Sequence, residues 1–150
     1  TRPVHVKPHG ALYNMAAANR ELAQVIARAV RDFDRQLLLY GLSGSHSISE
    51  AASLGVSTAA EAFADRAYEA DGSLVSRSKP GALIDDPERA ARQVLQIVRD
   101  GNVTDISGKP VPIKAETICI HGDGPHAAEF AQLIHRTLIM HGIALAPVSR

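Results

Sequence analysis

Cysteine is nearly missing from this chain: Cys119 is the only one in 150 residues. A lone cysteine closes no intramolecular disulfide and gives no zinc-finger spacing, so the sequence predicts a protein of a reducing compartment, the cytoplasm. A surplus of charge is missing too. Sixteen basic residues balance sixteen acidic ones, and no run of like charge is longer than Asp85-Asp86. The chain therefore lacks the electrostatic footprint of a nucleic-acid or anionic-membrane binder, and small molecules or proteins are the expected partners. Long apolar runs are also lacking. None approaches the roughly 20 residues that span a bilayer, and the first residues do not show the charged-then-apolar pattern of a secretion signal.

What is present is ordinary globular material. With 45% hydrophobic residues, a chain of this length buries roughly 70% of its unfolded surface if it folds alone. One domain over residues 1–150 is expected. Val4 to Lys7 alternates apolar and polar like a strand, and Asn19 offers a cap for a helix with Leu22, Ala23, Val25, Ile26, Ala29, Val30 and Phe33 at helical spacing. Leu37 to Tyr40 reads as a buried strand ended by Gly41, with Ser45 capping a short helix that stops at Gly55.

Val56 to Asp65 reads as a third strand region, and Arg66 to Gly81, rich in Asp, Gly, Ser, Lys and Pro, as a long surface loop. Asp86-Pro87 starts a helix whose buried face is Ala90, Ala91, Val94, Leu95, Ile97 and Val98, ending at Gly101. Val103 to Ile106 and Val111 to Ile113 flank Ser107-Gly108-Lys109-Pro110 as a hairpin. Thr117 to Ile120 is a further strand. The next helix turns Ala127, Phe130, Ala131, Leu133, Ile134, Leu138 and Ile139 inward and closes at Gly142, and Ile143 to Pro147 reads as a last short strand. This alternation predicts an α/β fold with a mostly parallel sheet, open or rolled into a barrel.

Side chains alternate between the faces of a strand, and the polar ones fall on one parity in three strands. Val4 and Val6 oppose His5 and Lys7; Ala62 and Ala64 oppose Glu61, Phe63 and Asp65; Ile118 and Ile120 oppose Thr117, Cys119 and His121. With helices on the apolar side, Lys7, His9, Glu61, Asp65, His121 and Asp123 gather near the strands' C-terminal ends, where such folds build active sites. The competing reading is a set of strand-end charges paired with one another or with water. His9 and His121 each stand beside a glycine, Gly10 or Gly122, which lets backbone approach a ligand next to an imidazole. Either moves protons or binds a divalent metal; spacing alone does not choose.

Glu61 and Asp65 are roughly 13 Å apart on an extended strand at ~3.3 Å per residue, too far for a close carboxylate dyad. Arg66 and the loop Ser76-Arg77-Ser78-Lys79 supply cations and hydroxyls suited to a carboxylate or phosphate. Cys119, between two isoleucines, reads as packing. Gly41-Leu42-Ser43-Gly44-Ser45 lacks the Lys-Ser/Thr ending of a Walker loop and reads as a turn before a helix.

Three blocks carry a family resemblance. His5-Val6-Lys7-Pro8-His9-Gly10-Ala11-Leu12-Tyr13-Asn14, then Glu61-Ala62-Phe63-Ala64-Asp65-Arg66 with Tyr68, Asp71-Gly72-Ser73-Leu74-Val75 and Arg77-Ser78, then His121-Gly122-Asp123 resemble, in that order, the motifs of the LamB/YcsF family. The resemblance implies part of a deformed (β/α) barrel of the glycoside hydrolase/deacetylase type. The family pattern has further strands before this point, so the chain reads as an incomplete barrel lacking its N-terminal strands. The resemblance also implies the first of the three subunits of an ATP-dependent 5-oxoprolinase, with ATP as cosubstrate, 5-oxoproline as substrate and subunits B and C as partners.

On that resemblance Lys7, His9, Asp65, His121 and Asp123 are the catalytic set. Gly10, Tyr13, Asn14, Glu61, Arg66, Arg77 and Ser78 are the substrate-binding set. Lys7 and Arg66 would stabilise phosphate or oxyanion charge, Asp65 or Asp123 would act as base toward water, and His9 or His121 would protonate the leaving nitrogen. Two other readings stand beside this one. A metal-dependent deacetylase-like hydrolase without ATP predicts a bound divalent ion at the His and Asp cluster. A non-catalytic subunit that binds the ring or docks partners predicts weak ring binding and no ATPase activity. Homo-oligomers fit any of the three.

Overall fold

Short apolar runs form the strands of this protein and amphipathic runs its helices, in the alternation expected of an α/β chain. The structure is a computed structural model and describes residues 2–122 and 127–148. The chain divides into two units. One comprises the described residues up to Glu61 with Val148, and the other runs through Ala62–Pro147.

In the first unit the strands are β1 (His5–Val6), β2 (Leu38–Leu42) and the greater part of β3 (Thr58–Phe63), paired in parallel in the order β1-β2-β3. The register sets Leu39 against Thr58 and Leu42 against Glu61. Helices α1 (Ala11–Ala18), α2 (Arg20–Phe33) and α3 (His46–Ser53) accompany them. Asn19 caps α2 as expected, its side-chain oxygen accepting from the Leu22 N–H at 2.9 Å. The core joins Ala27, Val30, Leu37, Leu39, Ala51 and Val56, with Val6 packed against it. Val6 thus meets the helices, and its neighbours His5 and Lys7 take the other face.

Four features of this unit differ from the sequence reading. Ala11–Ala18 is a helix rather than loop, since alanine, leucine and methionine outweigh the breaker at Gly10. Gly41 lies inside β2 instead of ending it; a Cβ there would sit 2.8 Å from the Ser47 Cβ, so its missing side chain lets α3 close onto the strand. Ser45 holds the N-cap position of α3 without a side-chain capping bond, and its carbonyl accepts from Ile48 and Ser49 instead. Val25 and Phe33 face outward on α2, where Ala23, Ala27 and Val30 form the buried stripe.

The second unit begins with the end of β3 and carries α4 (Pro87–Asp100), β4 (Asn102–Thr104), β5 (Pro110–Pro112), β6 (Thr117–Cys119) and α5 (Ala127–Met140). Asp86 caps α4 by accepting from the Glu88 N–H at 2.9 Å, with Pro87 in the first turn and Gly101 closing the helix, as its sequence predicts. β4 and β5 form the expected antiparallel hairpin, Val103 opposite Val111. β6 lies beside β3, and Ala64 N–H donates to the Cys119 carbonyl at 3.0 Å. Ala64 packs with Ala91, Val94, Ile134 and Leu138, and Ile118 and Ile120 join them, so here too the apolar parity meets the helices.

Ile143 to Pro147 forms no strand. The Ile143 N–H turns back to the Leu138 carbonyl at 2.9 Å to close α5, and its side chain packs against the α4/α5 core, leaving the segment no ladder to join. Ala131 and Ile139 face outward on α5, whose buried line is Phe130, Ile134 and Leu138. The segment from Arg66 to Gly81 has neither helix nor strand, yet it is more than a surface loop. Ala67, Val75 and Ala82 make a small core, and Tyr68 is fully buried.

Candidate active site

The polar parity produces one ion pair in each unit. In the first, Lys7 follows β1 and Glu61 stands near the end of β3, and the ammonium reaches both carboxylate oxygens, 2.8 Å to Oε1 and 2.7 Å to Oε2. Glu61 is buried, its side chain only 4% exposed, whereas that of Lys7 is 25% exposed. A buried carboxylate is costly without a charged partner, and Lys7 supplies it. The Lys7 ammonium also lies 5.3 Å from the ring centroid of Tyr13 on α1, a cation–π distance. His5 stacks on Tyr40 at 4.4 Å between ring centres.

His9 and Gly10 lie at the entry to α1, and both are exposed. Gly10 has φ 59 and ψ −132, a backbone region that a side chain would strain, so glycine is required where the chain turns from strand to helix. Asn14 is exposed on α1, one residue beyond buried Tyr13. The first unit thus brings Lys7, Glu61 and Tyr13 together.

In the second unit Asp65 and His121 meet. The Asp65 carboxylate accepts from the His121 backbone N–H at 3.0 Å and contacts ring Nδ1 at 2.8 Å through Oδ2 and 3.1 Å through Oδ1. An ionised carboxylate only accepts, so the nitrogen facing it carries the hydrogen, and in the neutral imidazole Nε2 is the one with the lone pair. The His121 ring stacks on Phe63 at 5.5 Å between centroids, which fixes its plane. Main-chain anchor, ring hydrogen bond and stack together hold one imidazole in one orientation.

Arg66 takes a different place from the anion-binding one that its charge suggests. The residue is 4% exposed, and its guanidinium donates to the Val75 carbonyl at 2.6 Å and, through Nε, to Ala82 at 3.4 Å. Burial lowers its pKa from the usual arginine value, and the Arg77 charge adds to that effect. Arg66 holds the two sides of its own loop together. Arg77 and Ser78 are exposed farther along that loop, with the Ser78 hydroxyl 2.8 Å from that of Ser76. Asp123 lies outside the described residues.

Two contributors escape sequence reasoning. Phe63 is visible there only as a strand residue, and its stack on His121 depends on register. Gln93 on α4 donates through Nε2 to the carbonyls of Phe63 (2.9 Å), Ala64 (3.2 Å) and Arg66 (2.9 Å). The one sequence signal for it is a polar side chain between the buried Ala90 and Ile97 of an amphipathic helix. Among the described residues, no group of three or more His, Cys, Asp or Glu side chains comes together at metal-binding spacing, so Asp65 and His121 offer a pair of donors.

The LamB/YcsF family profile matches residues 1–150, the whole chain. The chain belongs to the LamB/YcsF family. A protein of Tolumonas auensis, named as the A-type subunit of 5-oxoprolinase, is 52% identical over 141 residues, covering 94% of this LamB/YcsF chain and 56% of its relative. A protein of the same name from Halalkalibacterium halodurans is 49% identical over 148 residues, covering 99% of this chain and 58% of the relative. The LamB/YcsF chain therefore spans somewhat more than half the length of these relatives. A crystal structure of a lactam utilization protein from Thermus thermophilus superposes with a TM-score of 0.87 at 43% identity, over 96% of this chain and 57% of the other.

Proposed function

We propose that this chain belongs to the A-type subunit of an ATP-dependent 5-oxoprolinase, which opens the lactam 5-oxoproline to glutamate in the cytoplasm together with subunits B and C. The observation that carries the reading is the name shared by relatives about half identical along nearly all of the chain. The oriented imidazole of His121 adds chemistry suited to it, because opening a lactam requires a proton delivered to the departing nitrogen.

Amide resonance makes the ring carbonyl a poor electrophile. Transfer of the ATP γ-phosphoryl group to the carbonyl oxygen removes that protection and releases ADP. Water then adds to the activated carbon and loses its proton to a base, and the C–N bond breaks as the nitrogen takes a proton, leaving the γ-carboxyl as an acyl phosphate. A second water releases phosphate and gives glutamate. In this scheme His121 Nε2 takes and returns the proton, with Asp65 holding the ring and stabilising it when charged, and Lys7 offsets phosphate or oxyanion charge while Glu61 fixes its position.

The test is glutamate formation from 5-oxoproline by the intact protein assembled with subunits B and C, with and without ATP. Lys7→Ala, His9→Ala and Asp65→Ala should each abolish coupled turnover while circular dichroism stays native. Near-normal turnover in all three variants sinks the assignment. Turnover that survives without ATP and tracks a stoichiometric bound divalent ion supports a metal-dependent hydrolase instead.

A further inference from the structure

We propose that Gln93 is the positioning residue of the Asp65–His121 pair, holding the end of β3 so that the Asp65 carboxylate meets the imidazole; this rests on the reading of that pair as the proton-transfer site. Asp65 leaves β3 just where regular pairing stops, at Phe63. A carboxylate on a strand end is aimed only as well as the peptide groups beside it are held. The carbonyls of Phe63 and Ala64, before Asp65, and of Arg66, after it, all accept from the single amide nitrogen of Gln93, at 2.9, 3.2 and 2.9 Å.

An amide nitrogen has two hydrogens, so three acceptors require one of them to be shared. Three carbonyls converging on one atom also fix the amide's orientation, since its oxygen turned toward them would meet only acceptors. The remaining groups around Asp65 are held by other partners. The Phe63 N–H donates to the Tyr68 hydroxyl at 2.7 Å, Ala64 N–H to the Cys119 carbonyl at 3.0 Å, and the Asp65 carbonyl accepts from Ile84 N–H at 3.0 Å. Gln93 thus brackets Asp65 from both sides with one side chain. It stands on α4, a capped helix that packs against α5, so the clamp is tied to a rigid element.

The discriminating variants are Gln93→Glu, which keeps the shape and turns a donor into an acceptor, Gln93→Met, which removes the donor, and Gln93→Lys, which restores one. Two readouts on the intact protein are the ¹⁵N signals of the His121 ring, assigned by their loss in His121→Asn, and kcat and KM for 5-oxoproline with the partner subunits present. Gln93→Glu and Gln93→Met are expected to move the His121 signals away from the Nδ1-protonated form and to lower kcat about 100-fold, the effect of an ångström-scale misplacement, with KM little changed. Gln93→Lys should recover most of both. Loss of thermal stability with unchanged ring signals and unchanged kcat makes Gln93 merely structural and overturns the proposal. Asp65→Asn keeps the two failures apart: if it leaves kcat intact the reading of the pair has failed, and if it abolishes kcat while Gln93→Met does not, the positioning role alone has failed.

Discussion

The two ion pairs look alike in sequence, each joining a basic residue at one strand end to a carboxylate on or just after β3, yet they are built oppositely. In the first unit the carboxylate is the buried member. Glu61 is 4% exposed and depends on Lys7 to make burial tolerable. In the second unit both members are partly exposed, 14% for Asp65 and 28% for His121, and orientation comes from a backbone anchor, a stacked ring and the Gln93 clamp. The first pair is held by the cost of separating charges where water is scarce, and the second by hydrogen-bond geometry. One is suited to keeping a fixed positive charge in place, the other to moving a proton.

That contrast is broken most directly by neutralising one partner in each. Lys7→Met leaves the Glu61 carboxylate buried without its cation and should lower stability by about 3 kcal/mol in urea unfolding; Lys7→Met with Glu61→Leu should recover most of the loss. Asp65→Asn, whose amide oxygen still accepts from the His121 N–H, should cost only about 1 kcal/mol while removing turnover. Equal stability losses at the two sites would erase the distinction between them.

The framework beneath each pair gives the next contrast. In the first unit β2 and α3 approach so closely at Gly41 that a methyl group has no room, with the Ser47 Cβ 2.8 Å from where it would sit. Gly41→Ala should therefore cost about 1–3 kcal/mol through overpacking. In the second unit α4 carries Gln93 and is started by the Asp86 cap, so Asp86→Ala should cost about 1 kcal/mol. Hydrogen exchange resolves the two effects, because each should loosen its own unit before the other. Loss of protection spread evenly over both units by either variant would mean that they unfold as one.

The parts of the fold that are legible in sequence have local causes. α4 is written in its cap, its proline and its closing glycine, and the β4–β5 hairpin in its turn residues. Where the reading fails, a long-range neighbour decides. Gly41 looks like a strand end until α3 packs against it, and Ile143 looks like a strand until its N–H is taken by Leu138. The site divides in the same way. Strand parity alone places Lys7 with His5, and Asp65 with Phe63 and Glu61, on faces turned from the helices. Nothing local separates Arg66, which staples a loop from inside, from Arg77, which is exposed; that difference comes from carbonyls at Val75 and Ala82. Gln93 is hidden for the same reason, since all three of its acceptors are backbone groups distant in sequence.

The smallest effect expected is one of acid, and it compares the units through carboxylates outside the site. In the second unit Asp105 accepts through one oxygen from Ser107 N–H (2.8 Å), Ser107 hydroxyl (2.7 Å) and Lys109 N–H (2.8 Å), and the Lys109 backbone bond, followed by the Ser107 side chain, holds its pKa below the usual aspartate value. In the first unit Glu50 is lowered chiefly by its bond from Gln24 at 2.8 Å, against the opposing effect of burial, with the Arg20 charge helping. A carboxylate whose pKa is lower folded than unfolded adds stability above its unfolded value and loses it as pH falls through the folded one. Both units should therefore weaken as pH drops from about 5 toward 2, and Asp105→Asn should flatten that slope for the second unit only, as read by hydrogen exchange across the pH series. A slope unchanged in Asp105→Asn would place the acid sensitivity of that unit elsewhere, with Asp71, whose pKa is lowered by its hydrogen bonds with Ser73, the first carboxylate to examine.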